Sequence, residues 1–486
     1  MILLSNRKHW IHQAGNKFRD KIFIRTWKQT ISYVGFYKEC IQTAEYLKLK
    51  GVKKNDNTGI LFKHDYNFFV IANACWILGA VPVPINIRNT FPETESQIKQ
   101  VDIKYLITDN PFTELFFSKT ITFNKKLISK IKIPQKINST AFTPNNNALI
   151  LFTSGSSGTP KVVVHTFSSL YESVKALDSK FSLSQNDEWL ASLPLYHIGG
   201  FMILIRALLS GSSMIFPNSL VHKNIVDSIY KFEPTHISIV PTTLKKLVDK
   251  KIAPVKRTKV VFLGGGPSQN HLCINAVKLG WKIVKVYGST ETCSMITALP
   301  AKSILSHPDS SGKALSDNKI KIMIKNKIKN IENSETGEIV VKSKSLFKEY
   351  FRDKKTTSQK FKDGYYLTGD HGKINKHGLL FVETRRDDIV ISGGENISVK
   401  EISSAIISNP KVNDAHVFGI PDKKWGQKLC AAVVSKSKRN PDLAAFLKNN
   451  VAGYKIPKNF YFVKEIPRNE MGKVILSELK KKLTSN

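Results

Sequence analysis

The sequence predicts an α/β protein with a large N-terminal domain of mainly parallel sheets and flanking helices, followed by a small α+β C-terminal domain. Short apolar runs typical of buried strands alternate with segments of helical periodicity up to residue 320. From residue 320, short strands are separated by Gly, Asn and Lys turns, and a smaller α+β block begins after Arg385. These observations predict a domain boundary near residues 384–388.

The individual elements follow from hydrophobic periodicity along the chain. Buried strands are predicted at residues 59–62, 148–152, 236–240 and 259–263, and helices at 30–49, 167–181 and 225–232. Hairpin strands are predicted at 320–324, 338–341 and 378–382, and strands of the C-terminal block at 415–419 and 429–435. The uncharged stretch 66–87 approaches the length of a membrane span, but it contains Gly79, Pro82 and Pro84. We therefore predict a helix that ends near Gly79 and a short buried strand after it.

Composition limits the possible classes of function. The 486 residues include 74 Lys and Arg against 38 Asp and Glu, a formal net charge of +36. Such a charge is typical of proteins that bind nucleic acids or membrane surfaces. Here, however, the excess is lysine spread along the whole chain, and no basic stripe is interleaved with aromatic residues, so we expect no specific nucleic-acid partner.

Cysteine spacing and the N-terminus indicate the compartment. The five cysteines form no C-x-x-C pair, which argues against a zinc knuckle or a disulfide scaffold. The N-terminal apolar run is too short for a signal peptide. We expect a cytoplasmic protein without a transmembrane segment.

The segment 153–161, called here the phosphate loop, directly follows the predicted strand 148–152. Its glycines allow successive backbone N–H groups to approach an anion, and its hydroxyls and lysine add donors and positive charge. A flexible linker is the alternative, but a linker rarely follows a buried strand and ends in Pro-Lys. The candidate phosphate-binding residues are Thr153, Ser154, Gly155, Ser156, Ser157, Gly158, Thr159 and Lys161.

A second polar group lies after another short strand and contains Tyr287, Gly288, Thr290 and Glu291. Tyr287 could stack on a base, Thr290 could bind a phosphate or carboxylate oxygen, and Glu291 could hold Mg²⁺. Taken alone, an ordinary polar turn explains the same residues.

Three further segments complete the pattern. Gly265 and Gly266 follow the predicted strand 259–263 and suit a flat ring lying against the backbone. Asp370 follows Thr-Gly and suits ribose hydroxyls, which need an acceptor. Arg385 stands at the predicted boundary, where its segment could be a solvated linker, and Lys473 follows a glycine on a predicted exposed loop.

The order and contents of these segments resemble the adenylate-forming family of acyl- and aryl-CoA synthetases, which also includes luciferases and peptide-synthetase adenylation domains. The resemblance extends from residue 10 to 476 and includes the stretches 77–84 and 192–197. It implies a small β-barrel-like subdomain in the large domain and a mobile C-terminal domain. The implied division is an AMP-binding domain at residues 1–384, a hinge at 385–388 and a lid domain at 389–486.

The resemblance implies roles for the nucleotide-binding residues. The phosphate loop would bind the β- and γ-phosphates of ATP, Thr290 would contact a phosphate, and Glu291 would bind Mg²⁺. The remaining implied contacts are Tyr287, Gly265 and Gly266 at the adenine, and Asp370 and Arg385 at the ribose.

Other implied roles concern the acid and coenzyme A. Lys473 would bridge the substrate carboxylate and the α-phosphate, and Asp387 would be the hinge of the lid. Gly393 and Gly394 would face the site when CoA attacks. His197 would be a gate residue beside the acyl pocket, with a packed polar residue as the alternative. The sequence departs from the family pattern at several positions that carry no catalytic charge, among them Asn469, where a threonine is usual.

The implied enzyme is an ATP-dependent carboxylic acid–CoA ligase that acts through an acyl-adenylate. Acid, ATP and CoA would give acyl-CoA, AMP and diphosphate, with Mg²⁺ as cofactor. The stretches 160–166, 189–201 and 234–242, together with Arg206, resemble the o-succinylbenzoate–CoA ligase branch, which acts in menaquinone synthesis. A fatty acid, another aryl acid, and transfer to a carrier protein or to oxygen stay open as alternatives. A homodimer is one possible assembly.

Overall fold

The computed structural model describes residues 2–4, 8–89, 91–110, 117, 119–134, 143–153, 161–266, 268–329, 335–385, 389–392, 395–422, 426–436, 441–448, 450–451 and 453–484. The chain divides into two compact units. The first comprises residues 1–319 and 342–366, and the second comprises residues 320–341 and 367–486.

The α-helices are numbered in chain order. They are α1 Trp10–Lys17, α2 Tyr33–Leu49, α3 Asn67–Leu78, α4 Phe91–Val101, α5 Lys125–Ile128, α6 Phe167–Phe181, α7 Ile198–Ser210, α8 His222–Phe232, α9 Pro241–Asp249, α10 Asn270–Lys278, α11 Ala301–Ser306, α12 Lys354–Gln359, α13 Val399–Ile407, α14 Leu443–Lys448 and α15 Leu476–Thr484.

The strands are numbered in the same way. They are β1 Ile22–Arg25, β2 Thr30–Ser32, β3 Asn57–Leu61, β4 Val81–Pro84, β5 Ile103–Thr108, β6 Thr120–Thr122, β7 Asn147–Phe152, β8 Val162–Thr166, β9 Glu188–Leu190, β10 Ser213–Ile215, β11 His236–Ile239, β12 Val260–Leu263, β13 Ile283–Ser289, β14 Ser294–Pro300, β15 Lys313–Ala314, β16 Lys319–Ile324, β17 Lys327–Lys329, β18 Gly337–Lys342, β19 Glu349–Tyr350, β20 Phe361–Lys362, β21 Tyr365–Ile374, β22 Leu380–Arg385, β23 Ile389–Ser392, β24 Glu395–Ser398, β25 Val412–Asp422, β26 Gly426–Ser435 and β27 Asn459–Phe462.

The first unit is built on a nine-stranded sheet with the order β15-β14-β13-β12-β11-β9-β10-β1-β2. Its central strands, from β13 to β1, pair in parallel, and β2, β14 and β15 add antiparallel edges. Helix α7 packs against β9, β11 and β14 of this sheet. The predicted α/β fold with mainly parallel sheets is confirmed, and the buried runs of the central strands are explained by helices covering them.

Two smaller sheets complete the first unit. One is parallel, with the order β4-β3-β5-β6. The other is antiparallel, with the order β19-β8-β7. The uncharged stretch 66–87 forms α3 and then β4, and Gly79 ends the helix at φ 75°, in the left-handed region that glycine adopts without strain. This agrees with the prediction of a helix and a buried strand.

In the second unit, β17, β16, β18 and β21 are neighbours in that order, and β22 pairs with β21. The C-terminal part of the unit contains a sheet with the order β24-β23-β26-β25, to which β27 adds in parallel beside β26. Helix α13 packs on β25 over an apolar core that includes Ile402, Val417 and Val433. The predicted α+β C-terminal block is confirmed, whereas the division at residues 385–388 stays a prediction because residues 386–388 lie outside the described part.

Most predicted elements differ from the observed ones by one to three residues at an end, and local contacts explain two of the differences. The helix predicted at 30–49 begins at Tyr33, because residues 30–32 form the edge strand β2 and the Ser32 side chain accepts a hydrogen bond from the Gly35 N–H as N-cap. The strand predicted at 378–382 begins at Leu380, since Asn375 holds a turn by accepting from the Leu379 N–H.

The five cysteines, Cys40, Cys75, Cys273, Cys293 and Cys430, are free and buried. Burial raises the pKa of each of these thiols. They act as small packed side chains. Within the described ranges, no helix combines the length and the apolar character needed to cross a bilayer.

Candidate active site

The two ends of the phosphate loop are joined at its base. The Thr153 N–H donates to the Lys161 carbonyl oxygen at 2.9 Å. The Thr153 hydroxyl donates to the same oxygen at 3.2 Å and accepts from the Lys161 N–H at 3.1 Å. These bonds continue the antiparallel pairing of β7 and β8, so the two ends of the loop are held side by side. The strand before the loop was predicted, whereas the strand after it was not. Residues 154–160 lie outside the described part.

Strand β8 leads away from Lys161 and brings an aromatic residue beside it. Tyr350 in β19 pairs with Val163, and both belong to a buried cluster with Phe347 and Tyr366. The Lys161 ammonium lies 5.0 Å from the centroid of the Tyr350 ring, within the range of a cation–π interaction. The lysine at the end of the phosphate loop is therefore supported by a residue far along the chain.

The same tyrosine contacts the candidate metal ligand. The Tyr350 hydroxyl donates to Glu291 Oε1 at 3.0 Å, and the Phe347 N–H donates to the Glu291 carbonyl oxygen at 2.8 Å. Tyr366 packs in the same buried cluster as Tyr350. Burial and the neighbouring Glu291 carboxylate raise the pKa of Tyr350, which keeps this phenol protonated as a donor.

Thr290 is held from the other side by His165. The His165 Nε2 donates to the Thr290 carbonyl oxygen at 2.8 Å, and Nδ1 lies 3.2 Å from Ser169 Oγ. A carbonyl oxygen only accepts, which assigns the proton to Nε2. Burial lowers the pKa of His165 to about 4, so the ring is neutral near pH 7. His165 thus links β8 to the residue before Glu291.

Thr290 and Glu291 lie in a tight connection between β13 and β14, called here the Glu291 turn (residues 289–294). The Thr292 hydroxyl accepts from the Ser289 N–H at 2.7 Å and donates to the Ser294 carbonyl oxygen at 2.8 Å. A side chain at Gly288 would collide with the same carbonyl, which explains the glycine. Tyr287 lies inside β13, so the predicted loop is shorter than expected because the strand extends to Ser289.

The glycines after β12 lie beside the strand that leads to this turn. Leu263 in β12 pairs with Lys285 in β13. A Cβ added at Gly264 would lie 2.8 Å from Val286 Cγ2, and Gly265 adopts φ +83°. The ends of the phosphate loop belong to the antiparallel sheet of β7 and β8, and the contacts of Tyr350 and His165 join them to the Glu291 turn of the nine-stranded sheet. The segment of Gly265 and Gly266 follows β12, the strand beside β13.

Helix α7 carries the candidate gate residue and a buried cation. His197 is the N-cap residue of α7, and burial lowers the pKa of its ring to about 4. Arg206, two turns further along, is 1% exposed, and its Nη2 donates to Ser294 Oγ at 3.2 Å. Its guanidinium carbon lies 5.7 Å from the Trp189 ring centroid. Burial lowers the pKa of Arg206 to about 10, so it is charged at neutral pH.

Arg206 is unusual because its charge has no anionic partner in the part of the chain that the structure describes. Its Nε makes no hydrogen bond there. The buried carboxylates of Asp187 and Glu188 pair with other cations: Asp187 with Lys259, and Glu188 with Arg25 and Arg257. An unpaired buried charge costs several kcal/mol by order of magnitude. Such a cost is typically offset where a ligand supplies the opposite charge.

The residues present suit Mg²⁺ held with a substrate. Among the described residues, no group of three or more His, Cys, Asp or Glu could form a complete metal cage. Mg²⁺ in nucleotide sites typically takes one or two carboxylates together with phosphate oxygens and water. Glu291 offers one such carboxylate, of which Oε1 accepts from Tyr350, while no described residue is hydrogen-bonded to Oε2.

The second unit holds the candidate ribose residues. Asp370 in β21 is buried and pairs directly with Arg385 in β22. The Asp370 N–H donates to the Thr368 hydroxyl at 3.0 Å. The register therefore places the backbones of the predicted ribose contacts opposite each other.

Lys473 lies at the end of a turn that begins at Arg468. The Asn469 side-chain oxygen accepts from the N–H groups of Met471 and Lys473, each at 3.0 Å. Arg468 donates to the Gly472 carbonyl oxygen at 3.0 Å and to both oxygens of Asp414 at 2.9 Å. Asn469, which replaces a usual threonine, thus organises the turn that carries Lys473.

Several predicted residues lie outside the described part of the chain. They are Ser154, Gly155, Ser156, Ser157, Gly158, Thr159, Asp387, Gly393 and Gly394. Their roles stay predictions.

The sequence did not predict the contacts of three residues of the site. Tyr350 belongs to no local motif, and the pairing of β19 with β8 brings it beside Lys161. His165 lies in the resembling stretch 160–166, but its bond to Thr290 joins residues 125 positions apart. Arg206 was noted as part of a resembling stretch, but its burial without an anion could not be read from the sequence.

Comparison with known proteins identifies what the chain resembles. A family model described as AMP-binding enzyme matches residues 11–351, and a model of the AMP-binding enzyme C-terminal domain matches residues 401–473. The 2-succinylbenzoate–CoA ligase of Bacillus licheniformis is 30% identical over 98% of this chain and 100% of its own length. The enzyme of the same name from Bacillus subtilis is 30% identical over 98% of each chain.

Solved structures give the same result. The o-succinylbenzoate CoA synthetase of Bacillus subtilis in complex with its acyl-adenylate intermediate has a TM-score of 0.90, with 30% identity over 97% of both chains. The same enzyme in complex with ATP and magnesium has a TM-score of 0.89, with 30% identity over 97% of this chain and 99% of that chain. The similarity extends through both units of the chain described above.

Proposed function

The chain belongs to the AMP-binding enzyme family, and we propose that it is the ATP-dependent ligase that joins 2-succinylbenzoate to coenzyme A through an acyl-adenylate. The predicted family and the acid–CoA ligase class are confirmed by the relatives. The observation that carries the choice of acid is the buried Arg206, whose charge has no anionic partner among the described residues.

The reaction needs two steps because a carboxylate is a poor acylating agent. Its leaving group would be oxide, so the acid first attacks the α-phosphorus of ATP and releases diphosphate. The acyl-adenylate then loses AMP when the thiol of CoA attacks its carbonyl carbon. The first step brings anions together, which preorganised positive charge and N–H donors make possible.

The first unit supplies the phosphate contacts in this proposal. Lys161 and the phosphate loop bind the β- and γ-phosphates, Thr290 donates to a phosphate oxygen, and Glu291 holds the metal. When bound, Mg²⁺ neutralises charge on the phosphates and orients them. Tyr287 packs beside the adenine near the backbone of Gly265 and Gly266. The bonds from His165 and Tyr350 support this assignment, because they fix Thr290 and Glu291 before the nucleotide arrives.

The second unit supplies groups for each half-reaction. Asp370 and Arg385 bind the ribose hydroxyls, and their direct pairing supports this role. Lys473 contacts the carboxylate and the α-phosphate during adenylation, and Asn469 orders its turn. Rotation of the lid domain at Asp387 then removes Lys473 and presents Gly393 and Gly394 for the thiol step.

The choice of acid follows from charge. 2-Succinylbenzoate has two carboxylates, and only one is activated in a single turnover. The other keeps its charge in the pocket and needs a cation. Arg206 donates to Ser294 in the Glu291 turn, so the cation lies next to the residues assigned to phosphate and metal. A fatty acid or a simple benzoate offers no second carboxylate to this charge.

A substrate panel tests the proposal. Diphosphate release and acyl-CoA formation are measured with 2-succinylbenzoate and with two analogues that lack one carboxylate, 4-oxo-4-phenylbutanoate and 2-butanoylbenzoate. A long-chain fatty acid is the control for the alternative acids. We expect 2-succinylbenzoate to have the highest kcat/KM, about 100-fold above that of the analogue that keeps the activated carboxylate, and no product from the analogue that lacks it. A kcat/KM for an analogue as high as that for 2-succinylbenzoate would contradict the choice of acid. Diphosphate release without consumption of CoA would indicate another acceptor of the acyl group.

A further inference from the structure

Tyr350 connects two groups that bind different parts of the nucleotide in the proposed function. Its hydroxyl donates to Glu291 Oε1 at 3.0 Å, and the Lys161 ammonium lies 5.0 Å from the centroid of its ring. The side chain is 2% exposed. One buried phenol therefore contacts the candidate metal ligand with its edge and the candidate phosphate lysine with its face.

The position of this phenol is set by the strands around it. Tyr350 pairs with Val163, and its N–H donates to the Thr357 hydroxyl at 3.0 Å. Phe347 packs against it in a tilted arrangement, with ring centroids 4.8 Å apart. Because the backbone and the ring are both held, the hydroxyl reaches Glu291 without the loss of rotamer freedom that a surface contact would need.

The direction of the hydrogen bonds suits a metal ligand. An ionised carboxylate oxygen only accepts, so the Tyr350 hydroxyl proton points at Glu291 Oε1. A carboxylate whose Oε1 is fixed by a donor keeps its plane and presents Oε2 in one orientation. Such partners behind a metal ligand tune both its geometry and its affinity.

We propose that Tyr350 is a positioning residue that holds Glu291 and Lys161 ready for the magnesium–ATP complex. This inference rests on the proposed function, since it assumes that Glu291 holds the metal and that Lys161 binds phosphate. It assigns the two contacts of one side chain to separate effects. The hydroxyl acts on magnesium, and the ring acts on the nucleotide with or without magnesium.

Two substitutions separate these effects. Tyr350→Phe removes the hydroxyl and keeps the ring, whereas Tyr350→Leu removes both. ATP affinity is measured by calorimetry on the full chain without acid or CoA, once with Mg²⁺ and once with EDTA. The ratio of the two affinities is the gain from magnesium and does not depend on turnover.

The expected results differ between the variants. Tyr350→Phe lowers the gain from magnesium about tenfold, the order of magnitude for a lost hydrogen bond to a charged group, and leaves the affinity in EDTA unchanged. Tyr350→Leu lowers the gain similarly and also lowers the affinity in EDTA about fivefold, as expected for a lost cation–π contact. Tyr46→Phe is the matched control, because its hydroxyl donates to the Thr122 carbonyl oxygen elsewhere in the first unit.

Three outcomes overturn the inference. The first is a gain from magnesium that is unchanged in Tyr350→Phe. The second is a gain that falls as far in the control Tyr46→Phe as in Tyr350→Phe, and the third is a gain that falls as far in Tyr366→Phe. The last would show that packing of the aromatic cluster, and not the bond to Glu291, is responsible. A wild-type protein whose ATP affinity gains nothing from magnesium would instead contradict the proposed function itself.

Discussion

Substitution of Arg206 by methionine tests the choice of acid at the level of a single charge. Methionine keeps an unbranched side chain of similar length in the core and removes the guanidinium. Because Arg206 is 1% exposed and lacks an anionic partner among the described residues, the free protein gains no ion pair from it. We therefore expect Arg206→Met to raise the free energy of unfolding, by about 1–4 kcal/mol, because the cost of the unpaired buried charge is removed.

The substrate complex should respond in the opposite direction. The variant loses the cation that faces the second carboxylate and leaves that carboxylate buried without a partner. Breaking such a pair costs about 3 kcal/mol, which corresponds to a fall of about 100-fold in kcat/KM for 2-succinylbenzoate. The analogue that keeps only the activated carboxylate has no second carboxylate to pair with Arg206. Its kcat/KM should therefore differ between wild type and Arg206→Met by less than about threefold.

The assay compares kcat/KM for the diacid and its two analogues in wild type, Arg206→Met and Arg206→Lys. Urea denaturation reports the free energy of unfolding of each protein. Arg206→Lys keeps the charge but not the fork of donors, and an intermediate rate is expected. The reasoning fails if the diacid and the analogues lose the same factor, because Arg206 would then support the fold of the site and not the second carboxylate.

Three other substitutions test separate parts of the structure. Lys473→Ala should abolish adenylate formation but leave transfer from a supplied acyl-adenylate to CoA, and equal loss of both half-reactions would contradict its assignment. Asn469→Ala removes two bonds to the turn N–H groups of Met471 and Lys473, and should slow adenylation about 30-fold, with Asn469→Thr restoring most of the rate. His9 caps α1 by accepting from the Ile11 N–H, and burial lowers the pKa of its ring to about 3. In the unfolded chain the pKa of this ring is about 6.5, so the unfolded chain binds a proton that the folded chain does not, and the free energy of unfolding falls as pH drops below about 6.5. His9→Asn keeps a cap without titration, and denaturation at pH 7 and 5 should show about 2 kcal/mol less loss than in wild type; an unchanged loss would refute the sign.

The elements that the sequence predicted well carry their own local signals. Helix α6 spans residues 167–181 as expected, because Thr166 and Ser169 form a capping box at its start and Ser182 ends it in a left-handed conformation. The segments of the site were also identified from local patterns of glycine, hydroxyl and charge. The predicted parallel sheet placed the segments after β12 and β13 at neighbouring strand ends. The separate antiparallel sheet that holds the ends of the phosphate loop was not predicted.

The parts that could not be predicted depend on contacts between distant segments. Tyr350 reaches Glu291 across 59 positions in the chain, and only the pairing of β19 with β8 brings it to Lys161. The first residues of the helix predicted at 30–49 became β2 because β1 offered an edge to pair with. The sequence shows Arg206 only as one charged residue in an apolar helix. Its burial, and the absence of an anionic partner among the described residues, are known only from the structure.

Because the native thiols are buried, cysteines introduced at the surface could be labelled selectively to measure the domain motion that the proposed mechanism requires. Since Cys40, Cys75, Cys273, Cys293 and Cys430 are all buried with raised pKa values, maleimide dyes should leave the folded protein almost unlabelled. Cysteines introduced at Leu49, which is 78% exposed, and at Glu465, whose side chain is 75% exposed, would take the dyes in a native background. Single-molecule energy transfer between dyes at these two positions would report the distance between them during each half-reaction. No native residue of the core would need to be replaced.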